Sequence, residues 1–151
     1  MPLNVAEYPC PKIATDIIIE YVQDGRVYIP LIERKNPPLG IALPGGFQEI
    51  GLTLAANARK EAKEETNLEV IIDHPEKPFL VLSDPKRDPR GPVIGVVFIA
   101  NGHGDLKAGD DAKHVQLYTP QQLKKMRFKN RFVFDHEYIL TQYLHHRGYS
   151  P

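Results

Sequence analysis

Three glutamates stand downstream of a glycine pair in the stretch GGFQEIGLTLAANARKEAKEETNL, which runs from Gly45 to Leu68. At about 100° per residue, a helix here places Glu61, Glu64 and Glu65 on one arc about 100° wide. Ala55, Ala58 and Ala62 fall on the neighbouring arc. Small side chains let that part of a helix lie close against a sheet, with the carboxylates at the edge of the packed face. Three acids so close together repel and raise one another's pKa values, and a divalent cation among them relieves the repulsion. Oxygen-only ligation suits Mg²⁺ or Mn²⁺ rather than zinc, and leaves positions for water and a substrate phosphate. Such a set serves metal-assisted hydrolysis of a phosphoryl or pyrophosphoryl group. A solvated helix face, with Lys60 and Lys63 pairing acids at i,i+4 spacing, also accounts for EAKEE on its own. The upstream glycine turn and the alanine stripe separate the two readings, because a glycine turn lets a backbone carbonyl approach a metal closely.

The elements that must position these residues are legible in part. Thr53 is a helix cap, and Asn67 suits the left-handed residue that ends a helix, so the pattern predicts a helix from Thr53 to Thr66. Ile13–Tyr21 and Val27–Ile32 read as strands joined by an Asp24-Gly25 hairpin turn. Ile41–Leu43, Leu68–Ile72, Phe79–Leu82, Val93–Ala100 and His114–Tyr118 read as further strands, with Val93–Ala100 apolar enough to be buried on both faces. Asn101–Asp111 reads as a Gly- and Asp-rich loop, long enough for a lid. A helix begins at Thr119-Pro120. A last helix runs from an Asn130 cap to about His146, with Phe132, Phe134, Tyr138, Ile139 and Tyr143 on its apolar side. Strands, helix, strands, helices in that order imply a mixed sheet packed between helices.

The chain has 151 residues, enough for one domain, 1–151, with a proper core. Its nineteen basic residues balance nineteen acidic ones, which argues against a bulk nucleic-acid partner. The longest apolar run, Pro92–Ala100, is too short to span a bilayer, and the start carries no secretory pattern. The single cysteine, Cys10, cannot form an internal disulfide. A cytoplasmic protein acting on a small molecule is the expectation.

Other residues have two readings each. Lys86, Arg87 and Arg90 in SDPKRDPR could grip phosphate through guanidinium forks, or form an ordinary charged turn. Arg34, at a strand end near the glycine turn, could do the same or lie on the surface. Asp110 and Asp111 are candidate bases in a loop, or solvated turn residues. Glu49 could join a metal site through water or be a plain loop carboxylate. Phe47 and Tyr118 are the aromatics available to stack on a base. Asp135-His136 reads as helix surface or cap, and His145-His146 as an exposed pair.

The glycine-to-glutamate stretch resembles the signature of the Nudix hydrolase family, G-x5-E-x7-R-E-U-x-E-E-x-G-U, in which U is a bulky aliphatic residue. Laid without a gap on Gly46, the signature matches at Gly46, Glu61, Glu64, Glu65 and Leu68. Leu52 stands for its first Glu, Lys60 for its Arg, Ala62 for an aliphatic residue and Asn67 for a Gly. The segments YPCPKIATDIIIE, LIERKNPPLGIALPGGF, SDPKRDPR, GDDAK and FDHEYIL resemble, in order, the ADP-ribose pyrophosphatase-like branch. The resemblance implies an α/β/α sandwich around a mixed β-sheet. It also implies Mg²⁺ (or Mn²⁺) held by Glu61, Glu64, Glu65 and the carbonyl of Gly45, and a water activated by that metal to attack a pyrophosphate. A helix carboxylate or a later acid such as Asp111 would serve as base, with Arg34, Gly46, Arg87 and Arg90 at the substrate. ADP-ribose, cut to AMP and ribose 5-phosphate, is the expected substrate, and related enzymes are often homodimers. A nucleotide-sanitising pyrophosphohydrolase and a catalytically weak ADP-ribose-binding module are the alternatives. Leu52 and Lys60 replace an acid–base pair together, so no lone buried charge results, consistent with an apolar contact in its place.

Overall fold

The computed structural model describes residues 4–109, 112–126 and 131–149. After a short 3₁₀ turn at Val5–Glu7, the chain enters β1 (Lys12–Gln23) and returns along β2 (Arg26–Arg34). Asp24 and Gly25 both take positive φ, 50° and 74°, which a two-residue hairpin of this twist requires. Then follow β3 (Ile41–Ala42), β4 (Gly45–Phe47) and α1 (Leu54–Thr66). Strands β5 (Glu69–Ile71), β6 (Leu80–Leu82), β7 (Val93–His103) and β8 (Ala112–Tyr118) precede α2 (Pro120–Met126) and α3 (His136–His146).

Strands β3, β2, β1, β7 and β5 lie side by side in that order, with β4 on β1, β6 on β7 and β8 on β2. The long β1–β7 pair is parallel, from Lys12 opposite Val93 to Tyr21 opposite Gly102, and the other pairs are antiparallel. Burial on both faces explains the apolar runs. Ile17 and Ile19 of β1 pack with Ala55, Ala58, Ala62 and Phe98 under α1, while Ile18 faces Leu123, Ile139, Leu140 and Tyr143 of α2 and α3. Helices therefore cover both faces of a mixed sheet, as expected.

The local signals of α1 hold. Thr53 Oγ1 accepts a hydrogen bond from the Ala56 amide at 3.1 Å, and Asn67 ends the helix at φ 65°. Three expectations need correction. Residues 101–103 continue β7, paired to β5, instead of opening the loop. Glycine pair and Phe47 form β4, a short strand against β1, because Gly45 and Gly46 fit flat over Asp16 and Thr15. Phe132 and Phe134 precede α3. Phe132 bridges Ile41, and Phe134 takes a left-handed φ of 54°. Asn130, the expected cap, lies outside the described residues.

Candidate active site

Helix α1 approaches the sheet closely because Ala55, Ala58 and Ala62 are at most 2% exposed. Asn57, fully buried, fixes its approach. Its Nδ2 donates to Thr15 Oγ1 (2.8 Å) and to the Phe47 carbonyl (3.3 Å), and its Oδ1 accepts from the Glu49 amide (3.0 Å). This puts the second half of α1 beside β4. The Gly45 amide donates to Glu65 Oε2 at 3.1 Å. The Glu61 carboxylate lies against Gly46, where an added Cβ would stand 2.6–2.7 Å from its atoms. An added Cβ at Gly45 would meet Asp16 Oδ1 at 2.3 Å and the Thr15 carbonyl at 2.4 Å. The sequence justified these glycines by backbone approach, and here close packing of carboxylates adds to that reason.

Glu61 and Glu65 border a cleft of about 310 Å³ whose other walls are Ile32, Arg34, Lys35, Asn36, Gly45 and Gly46. Burial, with Glu61 and Asp16 nearby, pushes Glu65 up to about 8 despite the bond from Gly45. Glu64 points elsewhere. Lys60 Nζ bridges Glu64 (2.6 Å) and Glu49 (3.0 Å), and these bonds hold Lys60 well above the usual lysine range. Among the described residues, then, no three acids, histidines or cysteines are gathered as a metal-binding group. The expected apolar swap at Leu52 and Lys60 is also corrected. Leu52 is 39% exposed, and the lysine finds its acid at Glu49.

The donor chemistry still fits a hard divalent cation. Two carboxylates and the glycine pair of β4 adjoin one cleft, all donors are oxygen, and Glu65 carries a burial penalty that a cation would offset. The folded state keeps a proton on Glu65 that the unfolded chain releases above its ordinary carboxylate range. The contribution of Glu65 to stability therefore falls as pH rises from about 5 to about 8. In metal-free buffer, the unfolding midpoint of the wild type relative to Glu65→Gln is expected to drop across that window, and saturating Mg²⁺ to remove the drop. A pH-independent difference between the two proteins contradicts this.

Behind the glycine turn lies a smaller cavity of about 60 Å³, lined by Asp16, Arg34, Phe47, Arg87, Asp88, Arg90, Phe134 and His136 among others. Arg90 is stacked between Phe47 (4.8 Å) and Phe134 (5.2 Å), and Arg34 lies on Phe134 at 5.2 Å. Arg34 Nε also donates to the Pro38 carbonyl at 2.7 Å. Burial first, then Arg90, lowers the Arg34 pKa, while Glu65, Asp88 and Asp16 work to raise it. Arg90 pairs with buried Asp88 at 2.8 Å. Although burial works to raise the Asp88 pKa, its bonds from Arg90 outweigh that and lower it.

Arg87 departs from the expectation of a phosphate contact. Its side chain is 4% exposed, and it forks onto Asp135, with Nε donating to Oδ2 at 2.8 Å. Gly95 of β7 leaves room for the guanidinium, which a Cβ there would meet at 2.9 Å. Burial lowers the Arg87 pKa, but the Asp135 bond and the surrounding acids raise it overall. This pair anchors the 83–90 loop to the start of α3. Arg87→Met leaves Asp135 half-buried and unpaired, and about 3 kcal/mol of stability should be lost in urea unfolding; an unchanged midpoint contradicts the role.

Of the other expected residues, Phe47 reaches the site and Tyr118 does not, being packed in the core of the α2–α3 face. His136 is 2% exposed and belongs to the site, where the sequence suggested surface or cap. Asp110 and Asp111 lie outside the described residues. The loop leading to them is fastened rather than loose. Its Asp105 carbonyl accepts from Asn67, and its Lys107 and Gly109 amides donate to the Thr66 and Glu65 carbonyls. No helix among the described residues is long and apolar enough to cross a membrane.

The family model of the NUDIX domain matches residues 11–141. An ADP-ribose pyrophosphatase from Methanocaldococcus jannaschii is 43% identical over 140 residues, covering 91% of this chain and 75% of the relative. An ADPR-responsive transcriptional repressor from Acinetobacter baylyi is 30% identical over 91% of this chain, which spans only 54% of the repressor. A bifunctional NMN adenylyltransferase/ADP ribose pyrophosphatase from Francisella tularensis, solved with AMP and a manganese ion, has a TM-score of 0.74 at 27% identity, covering 94% of this chain and 43% of that one. The NUDIX domain of Shewanella oneidensis NrtR, solved with ADP ribose, shares the fold with a TM-score of 0.78 at 17% identity, over 95% of this chain and 93% of that one. The chain belongs to the Nudix family. Its likeness to the archaeal enzyme places it among the hydrolases of that family, which generally use divalent metals.

Proposed function

We propose that this protein is a Mg²⁺-dependent ADP-ribose pyrophosphatase, converting ADP-ribose to AMP and ribose 5-phosphate. The observation that carries this reading is the apposition of Glu61 and Glu65 to Gly45 and Gly46 of β4 on one side of a cleft, with Arg34 on its wall. Glu61, Glu65 and the Gly45 carbonyl would hold the cation, which when bound neutralises the pyrophosphate and acidifies water. Gly46 keeps the Glu61 carboxylate against the turn. Arg34 and Arg90 supply positive charge for the diphosphate, and Phe47, 44% exposed, offers a ring to the base. Glu64 can join the cation or act as base once it leaves Lys60, and Asp111 is the later-loop candidate for the same proton. Arg87 supports the substrate side through Asp135 rather than by touching phosphate.

The 43% identical archaeal enzyme supports ADP-ribose over a nucleoside triphosphate. The same reading assigns a cytoplasmic location and leaves a homodimer to be tested by sedimentation. Incubation of the protein with Mg²⁺ and, separately, ADP-ribose, dGTP and a dinucleoside polyphosphate is the test. AMP release from ADP-ribose at the highest kcat/KM is expected. Equal or faster cleavage of the other two overturns the substrate assignment.

A further inference from the structure

Phe134, Asp135 and His136 are consecutive, yet all three serve the same corner of the molecule. Phe134 lies on Arg34 and Arg90, Asp135 binds Arg87, and His136 lines the cavity behind Gly45. An extended strand sends successive side chains to opposite faces, so it cannot do this. The left-handed Phe134, at φ 54°, breaks the alternation. A bulky residue seldom takes that conformation, and it persists where the surroundings fix it.

The convergence brings His136 to the backbone of the metal-side turn. The Leu43 amide donates to His136 Nδ1 at 3.0 Å, and this bond is buried. A backbone N–H only donates, so Nδ1 must be the bare nitrogen and the neutral ring carries its proton on Nε2. That nitrogen stands 3.6 Å from Asp16 Oδ2, an electrostatic contact longer than a hydrogen bond. Asp16 in turn lies against Gly45. The turn is then held at successive points. His136 takes the Leu43 amide, the Ile17 amide donates to the Pro44 carbonyl at 3.0 Å, and Glu65 takes the Gly45 amide.

We propose that His136 is a positioning residue for the catalytic centre, fixing the Leu43–Pro44 turn into β4 through its Nδ1, with Asp16 beside its Nε2. This rests on the assignment of that turn to the metal side of the active site. The role does not require His136 to touch the substrate or to change charge during the reaction. It predicts loss of metal affinity and kcat with KM little changed, because its hydrogen bond goes to the Leu43 amide and not to Arg34, Arg90 or Phe47.

Two variants separate this role from mere packing. Asn offers an acceptor near the place of Nδ1, whereas Gln offers one near Nε2 and leaves the Leu43 amide unmet. His136→Asn is expected to keep Mg²⁺ affinity and kcat within about threefold of wild type. His136→Gln is expected to lose roughly 10- to 100-fold in both, with KM for ADP-ribose within about twofold. Amide hydrogen exchange at Leu43 gives a readout independent of activity: slow in the wild type and His136→Asn, fast in His136→Gln. Equal behaviour of the two variants, or an unprotected Leu43 amide in the wild type, overturns the proposal. If the wild type takes up no Mg²⁺, the active-site assignment falls as well. If it takes up Mg²⁺ and the variants behave alike, only the role of His136 falls.

Discussion

Glu65→Gln is expected to lower kcat by on the order of 10³-fold while the protein stays folded. Gln keeps an oxygen that can accept the Gly45 amide, so the bond between α1 and the turn survives. What disappears is a carboxylate buried beside Gly45 and raised toward neutrality by burial, Glu61 and Asp16. A divalent cation would gain most from that charge, since it converts a penalised carboxylate into a ligand. Mg²⁺ affinity should fall together with kcat, and steady-state kinetics with calorimetry read both. A kcat within tenfold of wild type contradicts a ligand role. Retained ADP-ribose affinity in metal-free buffer, with no measurable turnover in the wild type either, points instead to a binding module.

The second large effect separates two adjacent glycines. Alanine at Gly46 meets the end of the Glu61 side chain at 2.6–2.7 Å, and a flexible carboxylate can swing away. Gly46→Ala should therefore fold with a near-normal melting temperature, yet lose about 100-fold in kcat/KM because Glu61 is displaced. Alanine at Gly45 meets the Thr15 carbonyl at 2.4 Å and Asp16 at 2.3 Å, and a strand backbone in the middle of the sheet has nowhere to go. Gly45→Ala should cost about 3 kcal/mol or more in unfolding free energy. Thermal melts beside kinetics distinguish them. Equal destabilisation by both substitutions argues that the turn is structural only.

What could be read from the chain was what local chemistry decides. Thr53, Asn67 and Asp24-Gly25 set helix ends and a hairpin with their immediate neighbours, and each stands as expected. The alanine stripe correctly announced a helix packed close to the sheet. The misses are long-range. Nothing near Arg87 in sequence shows that it will be committed to Asp135, a partner 48 residues away. His136 looked like a helix-surface residue because its role comes from a backbone amide of β3's neighbour Leu43, 93 residues earlier. The aromatics at 132 and 134 carry a helical spacing with Tyr138 and Ile139, yet tertiary contacts to Ile41, Arg34 and Arg90 take them out of the helix. The glutamate trio was legible as a ridge, but the sequence could not show Lys60 drawing Glu64 toward Glu49.

Calorimetric titration of the metal-free protein with Mg²⁺, in two buffers of different ionisation enthalpy near neutral pH, tests the grip of Glu61 and Glu65 on a cation most directly. Saturable uptake accompanied by proton release, both lost in Glu65→Gln, is the expected result, because the cation must displace the proton that burial keeps on Glu65. No uptake of Mg²⁺ or Mn²⁺, even with a non-hydrolysable ADP-ribose analogue present, contradicts it.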